Sequence, residues 1–195
     1  MKLWMAIPCV ILLNISQSYA AGIGNITEQV NSPPSIQRKN QNLTGAKGTS
    51  LEMMDSIRTA QGKAGITFED NTKVQVNENS KLVIDDFVYD PNKKSGKIAL
   101  NMALGTVRYA SGQIAKNNPQ KVALNTPSAT VSVRGTDFTM TVDEAGQSLV
   151  VLLPSCKDEK DVKQYELQEN TCAVGKIDVT TVAGTVHLDQ AFQGT

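Results

Sequence analysis

The chain has 195 residues, with 19 Lys and Arg balanced by 19 Asp and Glu, a single histidine and few aromatic residues. That length suits one domain of ordinary size with a real hydrophobic core. Balanced charge and scattered aromatics exclude a nucleic-acid surface, which needs a basic face or a base-stacking platform.

Residues 1–20 read as an export signal. Lys2 gives a basic start, Trp4 to Ile15 is apolar, and Ser18-Tyr19-Ala20 places small residues at the two positions a signal peptidase inspects. The apolar run is shorter than the roughly 20 residues a spanning helix needs, so cleavage after Ala20 is expected, with an uncleaved anchor as the alternative. Cleavage removes Cys9 and leaves Cys156 and Cys172. An even pair in an exported chain suggests a disulfide closing a loop of about 15 residues, worth ~3 kcal/mol. Two free thiols are the alternative. Two cysteines and the distant His187 lack zinc-site spacing.

Residues 21–50 are polar and broken by Pro33-Pro34. Ile23 and Ile26 open a possible edge strand, and Ser32 to Gly48 reads as irregular. From Leu51 to the C-terminus the pattern is β. Apolar pairs recur every eight residues at 66/68, 74/76 and 82/84, separated by turns at Asp70-Asn71-Thr72 and Asn77 to Ser80. This spacing fits a meander or the rungs of a β-solenoid. Asp85-Asp86 shifts the phase to Phe87 and Tyr89, and Asp90 to Gly96 is a loop. Ile98, Leu100, Met102 and Leu104 then alternate until Gly105, after which the apolar positions are Val107 and Tyr109.

The same shift recurs in Thr126–Phe138. Ala129, Val131 and Val133 share one face; past Gly135 the apolar positions become Phe138, Met140 and Val142. A one-residue slip sends every side chain to the other face, so Gly105 and Gly135 mark corners or bulges between buried strand segments. Leu149, Val151 and Leu153 follow. Then 156–172 is dense in charge and reads as an excursion stapled at its base, either a hairpin through Val162–Leu167 or a short helix. The β pattern resumes at Ile177, Val179, Val182, Val186 and Leu188, and Phe192 to Thr195 has no clear structure.

Candidate chemistry is sparse. The sequence contains no nucleophile elbow, phosphate loop or paired-acid constellation, and His187 reads as a surface or edge residue. Asp85, Asp86 and Asp90 lack EF-hand spacing. Lys93, Lys94 and Lys97 read as a solvated loop cluster. Arg134 and Asp137 flank Gly135 and are expected to tie down the corner, through each other or through the backbone; a ligand contact is the alternative. No cofactor is expected.

Several ordered segments carry a family resemblance. They are Asp55-Ser56-Ile57-Arg58-Thr59; Gly62 to Phe68 with Asp70-Asn71-Thr72; Asn79-Ser80-Lys81-Leu82; Phe87-Val88-Tyr89-Asp90-Pro91; and Gly105 to Gly112 with Ile114-Ala115-Lys116. The last is Thr126 to Thr130 with Val133-Arg134-Gly135-Thr136-Asp137-Phe138. Together they resemble the FecR domain of bacterial envelope proteins over about Leu51 to Leu153. Asn71 stands where that family usually has glycine, and the Cys156–Cys172 excursion replaces a plain turn.

The resemblance implies an all-β fold, a flattened β-roll or solenoid-like two-sheet sandwich of short strands. The expected organisation is a signal at 1–20, an irregular segment at 21–50 and a FecR-like domain over 51–195 with an inserted loop at 156–172. The expected function is non-enzymatic: an exported protein, periplasmic or extracellular, with a binding or structural role at the cell envelope, its partner another protein or an envelope glycan, and without a stable membrane span after cleavage. The alternative is a sensor in a FecR-type relay from iron transport to a sigma factor, which would need the signal kept as an anchor. In this reading Arg134, Gly135, Thr136, Asp137 and Phe138, with Gly105, form a structural motif.

Overall fold

The alternation of buried and exposed residues folds into two sheets that share one long strand. The computed structural model describes residues 22–156 and 172–195. The expected signal and the body of the expected excursion, Val162–Leu167 included, lie outside the described residues. The strands are β1 (Gly24–Asn31), β2 (Ser35–Arg38), β3 (Gln41–Thr44), β4 (Ser50–Leu51), β5 (Ser56–Arg58), β6 (Gly62–Phe68), β7 (Lys73–Val76), β8 (Lys81–Asp90) and β9 (Ser95–Ala110). A short helix α1 (Gln113–Asn117) and a 3-10 turn (Pro119–Lys121) follow. Then come β10 (Val122–Asn125), β11 (Thr130–Arg134), β12 (Asp137–Val142), β13 (Ser148–Leu153), β14 (Ser155–Cys156), β15 (Cys172–Ala173), β16 (Lys176–Thr181) and β17 (Gly184–Leu188).

Sheet A runs β4-β1-β6-β7-β9-β12-β13, and sheet B runs β3-β2-β5-β8-β9-β10-β11-β16-β17. The first part of β9 pairs with β8 and β10 in sheet B, and its last six residues pair with β7 and β12 in sheet A. The crossing falls at Gly105, whose φ is +89°. The second crossing falls between β11 in sheet B and β12 in sheet A, at Gly135 with φ +64°. Both expected corners are therefore points at which the chain passes from one sheet to the other. Ile98, Leu100 and Met102 are buried before the first and Val107 and Tyr109 after it; Val131 and Val133 are buried before the second and Phe138, Met140 and Val142 after it. One continuous core results, with the Tyr109 and Phe138 rings stacked at 5.3 Å between centroids.

The two glycines are needed for different reasons. A Cβ on Gly135 would meet nothing within 4 Å, so only its left-handed backbone restricts it. Gly135→Asn is expected to be nearly neutral, because Asn tolerates that conformation. Gly135→Val should cost about 1–3 kcal/mol. Equal melting temperatures for the two variants would contradict the corner geometry.

The eight-residue repeat is a zigzag and not a stack of parallel rungs. β6 and β7 form an antiparallel pair with Ile66 opposite Val74, and β8 crosses to the other sheet. Among the described residues solenoid-like pairing occurs once, where β10 lies parallel to β9 and Asn125 sits opposite Asn101, with their side-chain amides bonded at 2.9 Å. The phase shift at Asp85-Asp86 is a β-bulge in β8 against β9.

Residues 32–48 differ from the expectation of irregular structure. β1 lies between β4 and β6, and β2 and β3 form a hairpin on sheet B next to β5. Each of β1 and β2 buries a single isoleucine, Ile26 or Ile36, too little to print an alternating pattern. The C-terminal residues also differ. Val150 and Thr195 exchange backbone bonds at 2.9 and 3.0 Å, and Leu152 N–H donates to the Gln193 carbonyl at 2.9 Å. The tail thus covers the free edge of β13 by backbone pairing, which leaves no side-chain signature.

Candidate functional site

Five of the six motif segments contribute residues to the seam where the sheets exchange strands, while Phe87 to Asp90 lies opposite Ser95 to Ile98 at the far end of β9. Thr59 accepts a hydrogen bond from Ser80 N–H at 3.0 Å and donates to the Asn77 carbonyl. Ser80 Oγ in turn accepts from Thr106 N–H at 2.9 Å. The turn leading into β8 is thereby sewn to the residue after Gly105. Further along, the buried Asp70 carboxylate accepts from Thr72 N–H at 2.9 Å, Thr72 Oγ1 at 2.8 Å and Ile114 N–H at 3.1 Å. Asp70 therefore caps α1 from a distant turn, meeting backbone donors that the first helical turn leaves unpaired. Asn71, at the usual glycine position, has φ +65°, which asparagine tolerates better than other side chains. Gly112 leaves room for this knot: a Cβ there would lie 2.3 Å from Thr72 N.

The second corner is held the same way. Ser111 Oγ donates to the Thr136 carbonyl at 2.7 Å and accepts from Thr136 N–H at 2.9 Å. Thr136 is buried, and its Oγ1 accepts from Gly175 N–H at 3.3 Å. The buried Tyr109 hydroxyl makes no hydrogen bond of normal geometry among the described residues. Burial pushes its ionisation up, offset in part by the Thr72 and Ser111 hydroxyls beside it.

Arg134 and Asp137 do not pair with each other. Arg134 leaves sheet B on its outer side and reaches Asp178 on β16 at 3.3 Å, where Asp178 also meets His187 Nδ1 at 2.6 Å. Hydrogen bonding to His187, aided by Arg134, holds the Asp178 carboxyl below its ordinary range. His187 itself stands exposed on β17. Asp137, three residues on, belongs to sheet A and faces Arg108 of β9 at 3.6 Å. The sheet change at Gly135 separates them, since it sends the two side chains to different sheets. Burial raises the Asp137 carboxyl above its ordinary range, against a hydrogen bond from Ser155 and the nearby Arg108. An acid raised in the folded state contributes stability that is full below its unfolded pKa and lost as pH rises through the folded value. Asp137→Asn should therefore hold or raise the melting temperature at pH 7 and lose that advantage at pH 3. Paired melts at the two pH values check this.

The other candidates are dispersed. Asp86 pairs with Lys97 at 2.8 Å, and Asp90 Oδ1 accepts from Asn92 N–H at 2.9 Å. Among the described residues no group of three or more His, Cys, Asp or Glu is placed to hold a metal ion. Cys156 and Cys172 are disulfide-bonded, directly opposite in the β14–β15 pair with Cα atoms 4.2 Å apart. Cys156 stands on the rim of a groove of about 750 Å³ across the outer face of sheet A, lined from Thr27 on β1 to Asp137 on β12. Sequence reading missed this groove, because its outward-facing side chains come from five different strands of sheet A.

The model of the family described as "FecR protein" matches residues 55–154. That is just over half of the chain, and the chain belongs to this family. No curated protein matches the sequence. Among solved structures, the chain is similar to a candidate anti-sigma factor from Parabacteroides distasonis ATCC 8503, at 14% identity and a TM-score of 0.42. The likeness covers 68% of this chain and spans half the length of that protein. No helix among the described residues is long and apolar enough to cross a membrane.

Proposed function

We propose that this FecR protein is a non-enzymatic binding protein of the bacterial cell envelope whose partner is another protein. The observation that supports it most is how the motif side chains are used. Asp70, Thr72, Ser111 and Thr136 spend their hydrogen bonds on one another and on the backbone of the seam. They build a scaffold, and recognition belongs to the outer faces of the sheets. A second reading, favoured by family membership, is a FecR-type relay in which residues 1–20 remain as an anchor. The mass of the chain recovered from its host's envelope separates the two. A start at Ala21 supports the released binding protein, and a retained Met1 supports the relay. Turnover of any small substrate by the purified chain would contradict both.

A further inference from the structure

The groove on sheet A has a defined chemistry. Its floor is low where Gly65 and Ala110 lie, and Gln75 and Arg108 stand directly opposite each other on β7 and β9, with Lys73 opposite Ala110. Gln75 and Lys73 make no side-chain hydrogen bond or ion pair with the described residues. Among the described residues Arg108 is engaged only by the 3.6 Å contact from one terminal nitrogen to Asp137. Arg38 provides the contrast: its Nε and both terminal nitrogens all donate at 2.7–2.8 Å. A guanidinium left with free donors beside an unpaired ammonium is suited to a carboxylate, which Arg can bind through two parallel bonds.

The groove also selects among acidic ligands. No aromatic side chain lines it, so it offers no platform for a sugar ring or a base. It crosses five strands, about 19 Å at the spacing of neighbouring strands, the length of about six extended residues. Glu28 on β1 and Asp137 on β12 stand toward its two ends, which opposes a ligand charged along its whole length. We infer that this groove docks an extended peptide segment of a protein partner, with an acidic side chain at its centre seated between Lys73 and Arg108. The inference rests on the protein-binding reading above and names the site and the chemistry of the partner.

The test is an NMR titration of the full chain with the acetylated, amidated peptide Gly-Thr-Glu-Glu-Thr-Gly. Parallel arms use the same peptide with Gln for Glu, and a galacturonic acid tetramer. The expected result is amide shifts centred on Thr67, Lys73, Gln75 and Arg108, with affinity at least tenfold weaker for the Gln peptide. Lys73→Glu should weaken the Glu peptide by a similar factor at an unchanged melting temperature, and Lys73→Ala by less. Equal affinity for both peptides, no shift at these amides, or tighter binding of the tetramer there would overturn the inference. Shifts confined to another face would remove the groove and leave the protein-binding reading standing.

Discussion

Gly105→Ala is expected to be among the most damaging single substitutions in the chain. The position combines φ +89° with contact: an added Cβ would sit 2.6 Å from Ser80 Cα and 2.2 Å from Ser80 Oγ. The first is backbone and cannot rotate away. Left-handed strain costs about 1–3 kcal/mol, and forcing atoms into a packed site about 1–3 kcal/mol more. The displaced Ser80 would also lose its bond from Thr106 N–H. A total near 4 kcal/mol is a large share of the roughly 5–15 kcal/mol that holds a domain together, and should lower the melting temperature by about 10 °C. Gly135→Ala, with open space around it, should lose about 1 kcal/mol. Thermal melts of the two alanine variants check the ordering, and equal losses would mean that contact with Ser80 is not what restricts Gly105.

The second large effect comes from the segment that precedes the family match. Asp55 is fully buried. Arg38 on β2 grips it with two bonds at 2.8 and 2.7 Å, reaches Glu52 at 2.7 Å, and donates to the Ser50 carbonyl at 2.8 Å. These contacts raise the Arg38 pKa further, chiefly through the bond to Asp55. Removing one partner of a buried pair leaves an uncompensated charge, at a cost of about 3–5 kcal/mol. Arg38→Ala is expected to fall in that range. A double replacement by leucines, Arg38→Leu with Asp55→Leu, should recover much of the loss, because buried pairs are often replaceable by apolar ones. Urea unfolding of the single and double variants measures both. An Arg38→Ala loss under about 1 kcal/mol, the level of a surface pair, would show that residues 22–51 are an accessory and not part of the domain.

The corners were legible before the structure because a parity change beside a glycine has few physical causes. Ile98 to Leu104 and Val107 to Tyr109 cannot both face inward on one regular strand. The Asp85 bulge was legible for the same reason. Pairings between distant residues were not. Arg38 and Asp55 are 17 residues apart with no period linking them, and β1 to β3 bury too few side chains to announce themselves. The partners of Arg134 and Asp137 depended on strand register, which places Asp178 and Arg108 beside them. Nearness in sequence pointed instead to each other or to the corner's backbone, and the sheet change at Gly135 sends the two side chains to different sheets. The groove was illegible for a related reason, since Thr67, Gln75, Arg108 and Asp137 become neighbours only after β6, β7, β9 and β12 align.

The Arg134–Phe138 motif turns the chain between sheets, and the proposed recognition lies on the outer face of sheet A. One comparison tests it most directly: the affinity for the Glu-containing peptide, and the melting temperature, of Arg134→Ala and Lys73→Glu side by side. Arg134→Ala is expected to bind like the parent chain, and Lys73→Glu, equally well folded, is expected to lose binding. Loss of binding in a folded Arg134→Ala variant, with Lys73→Glu unaffected, would place the recognition site at the corner and contradict it.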